Sequence, residues 1–148
     1  MSLSRCLVPV LLMGCLTQAF GQEAAPAPKT APPCPAAAAV TQQHMLGLWR
    51  AEFAGLWEGA TLLIEPHPRY AESFAGGINR NGVRGQIAGD IENGELTLEE
   101  SADGVRISAT WTGEVVEGSC GREIRGTWRA EGDAQGRAFV LRKQAQSS

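Results

Sequence analysis

From Gly47 to Lys143 apolar and polar residues alternate with a period of two, and Gly-containing turns interrupt the alternation at short intervals. Successive side chains of a strand point to opposite faces, so this pattern specifies half-buried strands and leaves no stretch for crossover helices. Trp49, Ala51 and Phe53 share one face of a first strand, with Arg50 and Glu52 opposite. A second is expected over 60–65, stopped by Pro66-His67-Pro68, and a third over 70–78, turning at Asn79-Arg80-Asn81-Gly82. Val83, Gly85, Ile87, Gly89 and Ile91 form one face of a fourth. Asn93-Gly94 and Asp103-Gly104 are hairpin signals, because both central residues of a type I′ turn take positive φ, and they bracket a fifth strand over 95–101. In the sixth, Val105, Ile107, Ala109, Trp111, Gly113 and Val115 point one way. After a loop at 117–121, Ile124, Gly126, Trp128 and Ala130 repeat the pattern, and residues 137–143 form the last strand.

Consecutive strands joined by tight turns make a meander, and closing it into a barrel removes both aggregation-prone edges. The expected fold over 47–143 is therefore all-β, a small up-and-down antiparallel β-barrel of about eight strands, preceded by a short helix. An open sheet backed by that helix, or a two-layer sandwich, is the alternative. The expected inward set runs through Trp49, Phe53, Leu62, Ile64, Ile87, Ile91, Leu96, Leu98, Ile107, Trp111, Ile124 and Trp128. An eight-stranded barrel is only just wide enough for its own side chains, so a mostly packed core with at most a shallow apolar cavity at one mouth is expected.

The N-terminus reads as an export signal. Residues 1–21 combine one cation, Arg5, an apolar run from Leu7 to Leu16, and small residues Ala19 and Gly21 where a signal peptidase cuts. The run is too short to span a membrane, so a periplasmic or secreted protein is expected. Leu12-Met13-Gly14-Cys15 offers a rival, a lipoprotein box with Cys15 anchored to a membrane. Residues 22–35, rich in Ala and Pro, read as a disordered tether, residues 36–46 as a short helix between Pro35 and Gly47, and residues 144–148 as a disordered tail.

Of the 13 Lys and Arg the leader removes only Arg5, leaving 12 against 16 Asp and Glu. Both signs are scattered and no basic stripe forms, which argues against nucleic acid as a partner. Cys6 and Cys15 leave with the leader, and the remaining two, Cys34 and Cys120, are expected to pair in an oxidising compartment.

Gly47-Leu48-Trp49 ahead of an eight-strand meander, with Arg142 on the closing strand, resembles the signature shared across calycins, the superfamily of lipocalins, avidins and bacterial metalloprotease inhibitors. The resemblance implies that Trp49 packs beside Arg142. Ser108-Ala109-Thr110-Trp111-Thr112-Gly113, followed by Ile124-Arg125-Gly126-Thr127-Trp128, is similar to the avidin pattern of a Trp-x-Gly strand and then a strand ending in Trp. The avidin closing-strand aspartate is missing, and Ser108 and Thr110 fall out of phase with the biotin-binding hydroxyls. The metalloprotease-inhibitor branch resembles this chain in its size, export, disulfide and N-terminal arm.

No catalytic constellation stands out. His44 and His67 are the only histidines, His67 sits between prolines, and Gly118-Ser119-Cys120-Gly121 is not a nucleophile elbow, so neither enzyme chemistry, a metal nor a cofactor is expected. Glu99 and Glu100 point to opposite faces; Glu100 shares the parity of Leu96 and Leu98, although its place near the strand end favours water. The leading functional expectation is an exported non-enzymatic binding protein that recognises a protein partner through its loops or a small apolar ligand. The alternative is an inhibitor of a hydrolase. Trp57, Asn81 and Glu117 are the candidate partner-binding residues on loops, and Trp111 and Trp128 the candidate walls of a ligand pocket.

Overall fold

The computed structural model describes residues 33–145. The leader, the Cys15 box, residues 22–32 of the expected tether and the last three residues of the tail lie outside the described residues. Eight strands follow in order: β1 (Gly47–Phe53), β2 (Ala60–Pro66), β3 (Phe74–Arg80), β4 (Val83–Glu92), β5 (Glu95–Ser101), β6 (Ala109–Val115), β7 (Glu123–Ala130) and β8 (Arg137–Lys143). Each pairs antiparallel with the next, and β1 pairs with β8, which closes an up-and-down barrel. That pairing excludes the open sheet and the sandwich.

Alternation within each strand decides the interior. Trp49, Ala51 and Phe53 of β1, Leu62 and Ile64 of β2, Leu96 and Leu98 of β5, Trp111 of β6 and Ile124 of β7 are all buried. A large apolar side chain taken fully out of water stabilises the fold by about 1.5–3 kcal/mol, and the barrel gathers such residues from every strand. Phe74 and Ile78 of β3 and Phe139 and Leu141 of β8 complete the core. Glycines let neighbouring strands approach where the sheet coils. A Cβ on Gly126 would lie 1.9 Å from the Thr112 carbonyl oxygen across the β6–β7 ladder, so no larger residue fits there.

Two boundaries differ from the sequence reading. Asn93-Gly94 forms the expected tight turn with φ of 51° and 83°. Residues 102–108 instead form a loop, in which the Asp103 carboxylate accepts the backbone N–H groups of Val105 and Arg106 at 2.9 and 2.8 Å. Those donors are lost to any strand ladder, so β6 starts only at Ala109, and Ile107, expected inside, is exposed together with Val105. Likewise β3 begins at Phe74, and Asn79 and Arg80 belong to the strand, with the tight turn at Asn81-Gly82.

The short helix is also broken in two. Ala37–Ala39 make a 3-10 turn and Gln42–Met45 a one-turn helix, α1, with extended Val40 and Thr41 between them. Two β-branched residues disfavour a continuous helix, and Thr41 serves better as a cap. Its backbone N–H donates to His44 Nδ1, while its side chain takes the His44 backbone N–H. Val40 and Met45 then point into the barrel, whose end they cover. Of the expected tail, Gln144 is held, donating its backbone N–H to the Leu48 carbonyl at 2.8 Å.

Candidate functional site

Strand direction assigns every loop to one of two barrel ends. The 67–73, 93–94 and 116–122 connections share one end with the N-terminal arm, which closes it. Cys34 and Cys120 are disulfide-bonded, tying the arm to the β6–β7 loop. Glu117 Oε2 accepts the Ala37 backbone N–H at 3.0 Å in the same place. Glu117, expected on a partner-binding loop, is therefore an anchor of the arm at the end opposite Trp57. The bond between Cys34 and Cys120 belongs to an oxidising compartment.

This end also corrects the implied partner of Trp49. Alternation on β8 turns Arg142 outward, where it pairs with Glu52 at 3.0 Å and Glu123 at 3.1 Å. The cation beside Trp49 is Lys143, with its Nζ 5.8 Å from the ring centroid and donating to the His44 carbonyl at 2.6 Å. Burial, reinforced by the charge of Arg122, holds the Lys143 ammonium below its ordinary pKa. The Trp49 indole N–H donates to the Met45 carbonyl.

The other end is the mouth, formed by loops 54–59, 81–82, 102–108 and 131–136. Neighbouring loops are bonded to one another. Asn81 Nδ2 donates to Glu58 Oε1 at 3.0 Å, Arg137 Nη1 donates to the Ala54 carbonyl at 2.9 Å, and the Glu131 N–H donates to the Ser108 carbonyl at 2.9 Å. Asn81 thus braces the Trp57 loop. Trp57 itself is 90 % exposed, and Leu56, Val83, Val105 and Ile107 are exposed on the same rim.

Beneath the rim lies a polar cluster in an aromatic setting. Glu100 of β5 faces inward, as its parity with Leu96 and Leu98 indicates, and is buried. Its position near the strand end does not bring it into water, because the 102–108 loop continues past it and the Ser108 N–H donates to its carbonyl. Arg80 donates Nε to Oε1 at 3.1 Å and Nη2 to Oε2 at 2.7 Å. The indole N–H groups of Trp111 and Trp128 both donate to Oε2 at 3.2 Å. The Arg80 guanidinium lies over the rings of Phe53, Trp128 and Trp111, at 4.7, 5.0 and 5.5 Å from their centroids. Burial alone raises the Glu100 pKa, but the hydrogen bonds and charge of Arg80 and the two indole N–H groups outweigh it and hold the carboxyl below its ordinary value.

No protein-family model matches the chain, and no curated protein matches it in sequence. Trp111 and Trp128, expected as pocket walls, are brought together with Phe53, but Trp111 is fully buried and both indoles are committed to Glu100. The rings of Phe53, Trp111, Trp128 and Phe139 pack against one another here. The two histidines also have local duties: His44 caps α1, and His67 Nδ1 accepts the backbone N–H groups of Arg69 and Tyr70. Arg80, Glu100 and Arg137 are the mouth residues that the sequence reading left out of the site; only the inward parity of Glu100 signalled one of them.

An open groove of about 930 Å³ lies at the closed end, between residues 38–43 of the arm and the β4–β5 hairpin. Glu72, Asp90, Glu92 and Glu95 line it, and among the described residues no cation does.

Proposed function

We propose that this is an exported, non-enzymatic β-barrel binding protein of calycin type that recognises a protein partner through its mouth. One observation carries this reading: an apolar rim of Leu56, Trp57, Val83, Val105 and Ile107 is exposed at one end, while the arm and its disulfide cover the other. Isolated exposed apolar residues are ordinary, but several on one rim with an exposed Trp are the composition of an interface centre. The packed interior favours surface recognition over burial of a small apolar ligand, and the bracing by Asn81 presents Trp57 on an ordered loop. Calycin type rests on the eight-stranded meander and on buried Trp49 at the start of β1; Lys143 in place of Arg142 departs from that pattern. An inhibitor of a hydrolase is the narrower form of the same reading, with the mouth loops as the blocking surface, since the arm from Cys34 onward is fixed to the barrel.

Native mass spectrometry of the protein purified from cells that export it tests this. The expected result is a complex with a protein, lost in Leu56→Ala/Trp57→Ala and kept in Glu95→Lys at the far end. A bound small molecule that survives the mouth substitutions would contradict it.

A further inference from the structure

Arg80 presents a fork that Glu100 does not use. A guanidinium has five N–H donors, and Glu100 takes the Nε–H and one from Nη2, which leaves the Nη1 pair and the second Nη2 hydrogen. None of these has a partner among the described residues, and the Arg80 side chain is 27 % exposed. The ring stack and the bidentate bond to Glu100 fix the orientation of the group in advance.

A second cation stands at the same mouth. Arg137 opens β8 with the inward parity of Phe139 and Leu141, and pairs in register with Trp128. Its Nη1 is held by the Ala54 carbonyl, but its Nε is buried with no hydrogen-bond partner among the described residues. Buried donors are nearly always paired, by protein groups or by ordered water, so this N–H has capacity for an acceptor that the described residues do not supply. By strand parity the inward-facing charges at the mouth among the described residues are Arg80, Arg137 and Glu100, an excess of one positive charge inside a rim whose loops carry Glu58, Asp103, Glu131 and Asp133 against Arg106.

We infer that the mouth is a carboxylate-binding site, in which Arg80 and Arg137 receive an acidic side chain of the partner while the rim takes its neighbouring apolar residues. The inference rests on the mouth being the recognition surface. A guanidinium fork matches the two oxygens of a carboxylate, and such charge-assisted pairs are about twice as strong as neutral hydrogen bonds. A side chain is the fitting source, because loops of several residues stand outside Arg80, the last residue of β3, and a long side chain reaches past them from a backbone seated on the rim. Glu100 cancels much of the charge of Arg80 at long range, so selection comes from hydrogen-bond geometry close to the fork.

The test uses three N-acetylated peptides, two of them C-terminal amides, against the full mature protein, followed by ¹⁵N NMR at the arginine Nε–H and indole N–H signals. Ac-Leu-Glu-Leu-amide is expected to shift the Arg80, Arg137 and Trp128 signals saturably, and Ac-Leu-Gln-Leu-amide to bind at least about tenfold more weakly. Arg80→Lys and Arg137→Lys keep the charge but lose the fork, and each is expected to weaken Glu-peptide binding at least fivefold; an unchanged signal from the Trp49 indole, bonded to Met45 at the closed end, reports that the variant is folded. Equal binding of the Glu and Gln peptides, or wild-type binding by both Lys variants, overturns the inference. Binding of Ac-Leu-Gln-Leu with a free C-terminus in preference to the Glu peptide overturns the side-chain assignment. A partner complex that still depends on Trp57 in the face of either result would leave the mouth as the interface and remove only the carboxylate.

Discussion

Replacing Glu100 by Leu removes the single acceptor shared by Arg80, Trp111 and Trp128. Trp111 is fully buried, so its indole N–H gains no water and is left unsatisfied, at a cost of about 1–3 kcal/mol. Breaking a buried ion pair from one side costs about 3–5 kcal/mol, but the Arg80 side chain is 27 % exposed and recovers part of its hydration, which puts the whole change near 3 kcal/mol. With a urea slope of about 1–3 kcal/mol/M, the midpoint followed by tryptophan fluorescence should fall by about 1–3 M with the slope unchanged. Arg80→Leu in the same chain removes the stranded cation, so the double variant should be less destabilised than the sum of the two singles by at least about 1 kcal/mol. The pH dependence has a fixed sign. A carboxyl whose folded pKa lies below its ordinary 4.5 contributes stability that is complete above 4.5 and is lost as pH falls through the folded value. Glu100→Leu should therefore flatten the acid limb of the stability profile. A loss below about 0.5 kcal/mol, or strict additivity with Arg80→Leu, would refute the view of this cluster as one coupled network.

The Cys34–Cys120 bond closes a loop with a separation of 86 residues, so Cys34→Ser/Cys120→Ser should lower stability by about 4 kcal/mol and expose Val40 and Met45 to hydrogen exchange at neighbouring amides. Gly126→Ala drives a Cβ into the Thr112 carbonyl and should cost about 1–3 kcal/mol, read as a lower thermal midpoint. Hydrogen bonds from the backbone N–H groups of Arg106 and Val105 lower the Asp103 pKa to about 2, so the 102–108 loop should lose protection of those two amides as pH falls from 3.8 toward 2, and at neutral pH in Asp103→Ala, which removes the acceptor. Trp57→Ala touches no packed group and should change stability by less than about 0.5 kcal/mol, which separates any binding defect from misfolding.

Strand number and closure were legible because alternation and Asn-Gly turns act locally, and the buried pairs Leu96 with Leu98 and Trp49 with Phe53 follow directly from parity. The β5–β6 connection was not. Val105 and Ile107 alternate as a strand would, and only the competition of Asp103 for their neighbouring N–H groups shows that they leave the sheet. The broken helix has the same origin, a local side-chain bond at Thr41 overriding a run of alanines. Trp57 was readable as a loop Trp. Arg80 was not readable as an interior residue, since a charge beside a turn normally lies in water, and its partners Glu100, Trp111 and Trp128 come from three other strands. Parity pointed Glu100 inward, but no local pattern could supply the four donors that make its burial tolerable. The resemblance to calycins located Trp49 correctly and misplaced its cation by one residue, which on a strand is the difference between the two faces of the sheet.

Photo-crosslinking in the exporting cell, with the reactive residue placed in turn at positions 57, 83 and 105 of the mouth and 95 and 117 of the closed end, bears most directly on recognition at the mouth. One discrete protein adduct from the three mouth positions, suppressed by Arg80→Lys, and none from the closed end is the predicted result. Adducts from positions 95 and 117 with none from the mouth would contradict it and move recognition to the arm.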